Sequence, residues 1–139
     1  MDAKVTWKSK MAFNGTAKEG FDIPIDTRIE SGGEDSGTSP MELLLVGLAG
    51  CTAMDVIDVM RKKRQDVTAF EVRVHGERAT EHPRVFTHIT VEYIITGHQL
   101  DSLAANRSVE LSVTRYCSVH AMLSKTAQID NKITLLEAE

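Results

Sequence analysis

Two cysteines, Cys51 and Cys117, are the residues best equipped for chemistry in this chain. A thiolate is a strong nucleophile, but an unperturbed thiol has a pKa of about 8.5 and is only a few per cent ionised at neutral pH. Cys51 follows Gly47-Leu48-Ala49-Gly50 inside the most apolar stretch of the sequence. Two glycines within one helical turn cost about 1 kcal/mol each relative to alanine. That cost is offset if they admit a backbone, a ligand or a partner helix beside Cys51. Taken alone, the segment fits equally a Cys51 that is a small core hydrophobe. Cys117 precedes Ser118-Val119-His120 at an expected helix N-terminus. Free N–H groups and the helix dipole favour a thiolate there. A cation beside Cys51 would be needed to make it a good nucleophile, and arginine suits best because it stays charged and presents a fork of donors. Cys117 and His120 also have a C-x-x-H spacing. A structural zinc site wants four ligands, so no metal site is expected.

A helix must present Cys51. Ser39, Pro40 and Glu42 form an S-x-x-E capping box with proline at the first helical position, predicting a helix from there to about Arg64. Leu43 to Met54 is apolar on nearly every face, so this half is expected to be buried all round. From Asp55 the pattern turns amphipathic, and Arg61 to Arg64 suit the negative end of the helix dipole. Glu42 precedes Cys51 by nine positions. At about 100° per residue the two fall on opposite faces of a straight helix. Glu42 can join Cys51 only if the helix breaks near Gly47 and Gly50, or if an adjacent chain completes the site. Otherwise it is a capping residue.

Around this helix the pattern is α+β. Lys4 to Lys8, Met11 to Thr16 and Phe21 to Ile25 read as strands, the third held to an edge by Pro24. Glu30 to Thr38 is polar and glycine-rich and is expected to be a mobile surface loop. Phe70 to His75 and Val85 to Ile95 alternate as an antiparallel hairpin, with His75, His82 and His88 read as solvated. Asp101 caps a helix from Ser102 to about Thr114, with Leu103, Val109, Leu111 and Val113 as apolar contacts; a bend near Arg115 to Ser118 leads to a third helix, Val119 to Ala127, with Val119, Met122 and Leu123 inward. Ile133 to Leu136 closes the chain as a strand. The expected architecture is antiparallel sheet with a long central helix carrying Cys51 and C-terminal helices packed on it.

Composition narrows the function classes. With 139 residues, 42% hydrophobic and 26% charged, the chain reads as one globular domain, 1–139. Sixteen Lys and Arg against 20 Asp and Glu give −4, the wrong sign for a nucleic-acid partner. Two lone cysteines are no framework for a secreted fold, and the charged start, MDAKVTWKSK, lacks the apolar run of a signal peptide. Leu43 to Met54 is shorter than the roughly 20 apolar residues a bilayer span needs. A cytoplasmic protein without a membrane partner is expected.

Thr38-Ser39-Pro40-Met41-Glu42, the small residues before Cys51, and Tyr116-Cys117-Ser118-Val119 together resemble the OsmC/Ohr family of thiol-dependent peroxidases. The segments Arg61 to Val67 and Pro83 to Ile89 are most similar to its YhfA-like branch, and the resemblance covers nearly the whole chain. It implies two intertwined chains forming a homodimer, with active sites at their interface. It implies that Cys51 is the peroxidatic thiol and Cys117 the resolving one. In that pattern an arginine from the loop before the helix, paired with a glutamate, activates the thiolate. Glu42 matches the glutamate by its place in the motif, and Arg28, in Asp26-Thr27-Arg28-Ile29-Glu30, matches the arginine, although the loop from Arg28 to Glu42 is longer here.

The expected function is therefore a hydroperoxide reductase that uses a dithiol reductant and no cofactor. Apolar Leu48 and Met54 near Cys51 favour an organic peroxide. The alternative is a non-catalytic dimeric module binding a small apolar ligand on the same scaffold.

Overall fold

Alternation in the first 25 residues produces a three-stranded antiparallel meander. In a computed structural model, which describes residues 1–139, its strands are β1 (Lys4–Ser9), β2 (Ala12–Thr16) and β3 (Asp22–Ile25), in the order β1-β2-β3. Pro24 lies on the edge strand β3, where a missing ladder donor is tolerated. This meander belongs to the first of two compact units, Met1–Leu44 and Leu45–Glu139.

The glycine-rich loop that follows differs from expectation. It lies on the surface but is not unstructured. Asp26, only 2% exposed, accepts the Thr27 N–H at 2.7 Å, the Glu34 and Ser36 N–H groups at 3.1 Å, and the Ser36 hydroxyl at 2.6 Å. One buried carboxylate thus organises the loop from within. These bonds, the Ser36 hydroxyl first and the Thr27 N–H next, hold its pKa down at about 2.

The capping box forms as its sequence dictates. Ser39 N–H donates to Glu42 Oε1 at 3.1 Å, and Glu42 N–H donates to Ser39 Oγ at 3.2 Å. The helix α1 (Pro40–Lys62) then runs unbroken through Gly47 and Gly50 into the second unit. There β4 (Asp66–Arg78) and β5 (Phe86–His98) form the antiparallel hairpin, with Val74 opposite Val91. Next come α2 (Ser102–Leu111), a π-helical turn (Ser112–Tyr116), α3 (Ser118–Leu123) and β6 (Gln128–Glu137). Asp101 caps α2 by accepting the Leu103 N–H.

Three expectations need correction here. First, β6 pairs with β5 in parallel, from His88 opposite Gln128 to Gly97 opposite Glu137, so the second sheet is mixed and not wholly antiparallel. The helices α2 and α3 supply the long crossover that parallel neighbours require. Second, α1 is not buried all round. Its buried residues form one stripe, Leu48, Thr52, Val56 and Met60, while Val46 is 63% and Met54 73% exposed. The helix is long and apolar enough to cross a membrane by length and composition alone. The buried stripe and the Thr52 bond to β5 make it the core helix of this unit. Third, Leu103 and Met122 face outward: α2 buries Ala104, Ala105, Ser108 and Val109 instead, and α3 fully buries none of its residues. The core of the unit is completed by Ile89, Val91, Tyr93 and Ile95 of β5.

Candidate active site

Cys51 lies on α1 immediately before the buried Thr52 and one turn before Asp55. Residues four apart share a helix face, so Cys51 and Asp55 are neighbours along it. Cys117 arrives from the other direction. The π-helical turn ends by sending the Cys117 N–H to the Ser112 carbonyl at 2.8 Å. The Cys117 sulfur then caps α3, accepting the His120 N–H at 3.3 Å. Both thiols are free, with Cys117 buried and Cys51 half-buried. Cys51 lies near enough to Cys117 to influence its ionisation. The two cysteines, 66 positions apart in the chain, are thereby brought together within the second unit.

The electrostatics of Cys117 reverse the expectation from its helix N-terminus. Burial pushes its thiol up to about 11, against the pull of the His120 N–H, and the nearby Cys51 and Asp55 add to the rise. One N–H from a six-residue helix does not outweigh desolvation. Cys117 is therefore held as a neutral thiol. Burial likewise pushes the Tyr93 phenol up to about 12, with the Thr52 bond opposing and Cys117 and Asp55 adding to it. Burial lowers His120, which keeps that imidazole neutral.

A chain of buried hydroxyls runs beside the thiols. Thr52 Oγ1 lies 2.9 Å from the Tyr93 hydroxyl and 2.8 Å from Ser112 Oγ. Ser112 donates to Asp55 Oδ2 at 2.9 Å, and the Tyr93 hydroxyl lies 3.2 Å from the Asn131 amide oxygen. Proton counting orders this chain. Ser112 spends its proton on Asp55, so it accepts from Thr52, and the Tyr93 phenol donates to the Asn131 amide oxygen. No buried side-chain nitrogen or oxygen is without a partner.

Arg28 and Glu42 belong to the first unit. Glu42 is occupied by the capping box. The Ser39 hydroxyl, then the Ser39 N–H, hold its carboxyl below the usual range, and Arg28 is the smallest of the influences lowering it. Arg28 is exposed, at the start of a short 3-10 turn (Ile29–Ser31), and forms no ion pair. The break in α1 that would have turned Glu42 toward Cys51 does not occur. Of the apolar residues expected beside Cys51, Leu48 is fully buried and Met54 is exposed. No group of three or more His, Cys, Asp or Glu side chains is placed to hold a metal ion. A cavity of about 500 Å³ opens at Asp55, lined also by Asp58, Val59, Lys62, Leu111 and Tyr116.

Sequence reasoning missed Thr52, Asp55, Tyr93 and Ser112 as members of the site. Asp55, a carboxylate at the end of an apolar run one turn after a cysteine, was the only local signal.

A neighbouring cysteine pair, one member on a long glycine-bearing helix of an α+β fold, defines a class of thiol protein. The family model described as "OsmC-like protein" matches residues 33–132, and the chain belongs to that family. The matched region includes Glu42, Cys51 and Cys117 and leaves Arg28 outside it. The chain is 41% identical to Protein YhfA of Escherichia coli K12, over 99% of this chain and 100% of that protein. Two solved structures share the fold. An OsmC-like protein from Mycoplasma pneumoniae is 19% identical, with a TM-score of 0.82 over 97% of this chain and 96% of its own. The organic hydroperoxide resistance protein OhrB of Bacillus subtilis is 20% identical, with a TM-score of 0.65 over 96% and 98%.

Proposed function

We propose that this protein is a thiol-dependent hydroperoxide reductase that acts on organic peroxides. The observation that carries the reading is the pair of free, neighbouring thiols, in which Cys117 is kept neutral by burial. Cys51, the less buried of the two, is the thiol that attacks first. The Cys51 thiolate bonds to one peroxide oxygen as the O–O bond breaks, and the departing alkoxide takes a proton to leave as the alcohol. Cys51 becomes a sulfenic acid. Cys117 then attacks that sulfur; the S–S bond forms, the S–O bond breaks, and the thiol proton leaves with the hydroxyl as water. A dithiol reductant restores both thiols by exchange. Membership of the OsmC-like family, and a fold shared with a protein named for organic hydroperoxide resistance, support the assignment.

Two further roles belong to the proposal. With α1 unbroken, Arg28 enters only where an adjacent chain completes the site, its cation there stabilising charge on the leaving oxygen, while Glu42 keeps its capping role. The functional form is a homodimer. In support, α1 carries exposed Leu44, Val46 and Met54, and a Cβ added at Gly47 or Gly50 would meet nothing within 4 Å. A second chain would cover this open apolar side. Light scattering should return twice the mass of one chain.

The deciding experiment is consumption of cumene hydroperoxide with a dithiol, comparing wild type with Cys51→Ala. Loss of turnover in the variant is the expected result. Equal rates would overturn the assignment.

A further inference from the structure

Two buried serines on neighbouring turns use their hydroxyls differently. Ser108 donates back into its own helix, to the Ala105 carbonyl at 2.7 Å, the ordinary habit of a helical serine. Ser112, 1% exposed, reaches across to α1, where it meets Thr52 at 2.8 Å and Asp55 at 2.9 Å. These are the residues that adjoin Cys51, one position and one turn further on. At the same time the Ser112 carbonyl accepts the Cys117 N–H at 2.8 Å. One residue therefore grips the helix of the first thiol with its side chain and the backbone of the second with its main chain. The grip sits at the start of the π-helical turn, a rare geometry that concentrates at functional positions.

We propose that Ser112 is a positioning residue for disulfide closure: held by Thr52 and Asp55, it sets Cys117 at the separation from which it attacks an oxidised Cys51. A disulfide tolerates Cα separations of only about 4.4–6.8 Å, so a buried two-point clamp sets how readily the bond closes. The proposal rests on the peroxidase reading for the identity of the oxidant, and not for the geometry.

The test compares wild type with Ser112→Ala, Ser112→Thr and Thr114→Ala. Thr114 lies in the same π-helical turn but bonds only the Glu110 carbonyl, and so controls for general loosening. Each protein is equilibrated in glutathione redox buffers, and the Cys51–Cys117 disulfide is counted by mass spectrometry after alkylation. Here glutathione disulfide is the oxidant and two glutathione thiols are released. Loss of the clamp bonds should make the disulfide of Ser112→Ala about five- to tenfold less favoured. That is a potential about 20–30 mV more oxidising. Ser112→Thr and Thr114→Ala should stay close to wild type.

After one equivalent of cumene hydroperoxide, Ser112→Ala should accumulate more trappable sulfenic acid than wild type. An unchanged equilibrium in Ser112→Ala overturns the proposal, as does an equal fall in Thr114→Ala. If Ser112→Ala does not fold, Thr52→Val is scored by the same criterion. A wild-type Cys51 that ignores peroxide would remove the peroxidase reading, and the glutathione equilibrium would still decide the clamp.

Discussion

Each unit of the chain buries one polar cluster, and the two are built in opposite ways. In the first, Asp26 collects donors from residues one, eight and ten positions away, so its bonds close a single loop. In the second, Thr52 reaches partners 41 and 60 positions away and Asp55 one 57 positions away, so those bonds join a helix to a strand and to a distant turn. The Asp26 cluster satisfies one charge with backbone amides and a hydroxyl. The Thr52 cluster links three hydroxyls to one carboxylate. A local cluster shapes a loop. A long-range cluster ties the helix that carries one thiol to the turn that leads to the other.

Substitutions should separate the two clusters by size of effect. Thr52→Val keeps the shape of the side chain and removes the hydroxyl shared by Tyr93 and Ser112. It should cost about 2–3 kcal/mol in denaturant unfolding, because two buried groups lose a partner. Tyr93→Phe removes the chain's phenol and leaves the Thr52–Ser112–Asp55 part intact, so about 1–2 kcal/mol is expected.

Titration should act on the clusters at opposite ends of the pH scale. Cys117 and Tyr93 have folded-state pKa values raised above their ordinary 9.0 and 10.0. Their contribution is complete below pH 9 and is lost as pH rises through about 11 and 12. Asp26 is depressed from 3.8 to about 2. Its contribution is complete above pH 4 and is lost as pH falls through about 2. Melting temperatures measured from pH 8 to 12 should fall, and fall less in Cys117→Ser.

The most local effect should belong to Asp26→Asn. Its amide places a donor against the Glu34 and Ser36 N–H groups or forfeits the Ser36 hydroxyl. Hydrogen exchange at those two amides should quicken while the amides of β5 stay protected.

Much of this molecule was legible before any coordinates. The capping box at Ser39 and Glu42 depends on residues three apart, and it forms as written. The hairpin of β4 and β5 follows from alternation, and the two thiols were marked by their contexts. The second-unit cluster was not legible. A threonine in a helix and a serine beyond it look like ordinary polar residues until a fold sets them 2.8 Å apart. The Cys117 ionisation was misjudged for a related reason. The helix N-terminus is visible in sequence, whereas burial, the larger influence, is a property of the packed unit. The parallel pairing of β6 was likewise decided by how the crossover folds.

The chain by itself determined its local devices: where α1 starts, which strands alternate, and which two residues carry a thiol. All depend on interactions within a few positions, where chain geometry leaves little choice. Only the tertiary structure decided which distant groups meet and how deeply they are buried. Those quantities depend on the packing of the whole second unit. They keep Cys117 protonated, bring it near Cys51 and turn Ser112 toward Thr52 and Asp55.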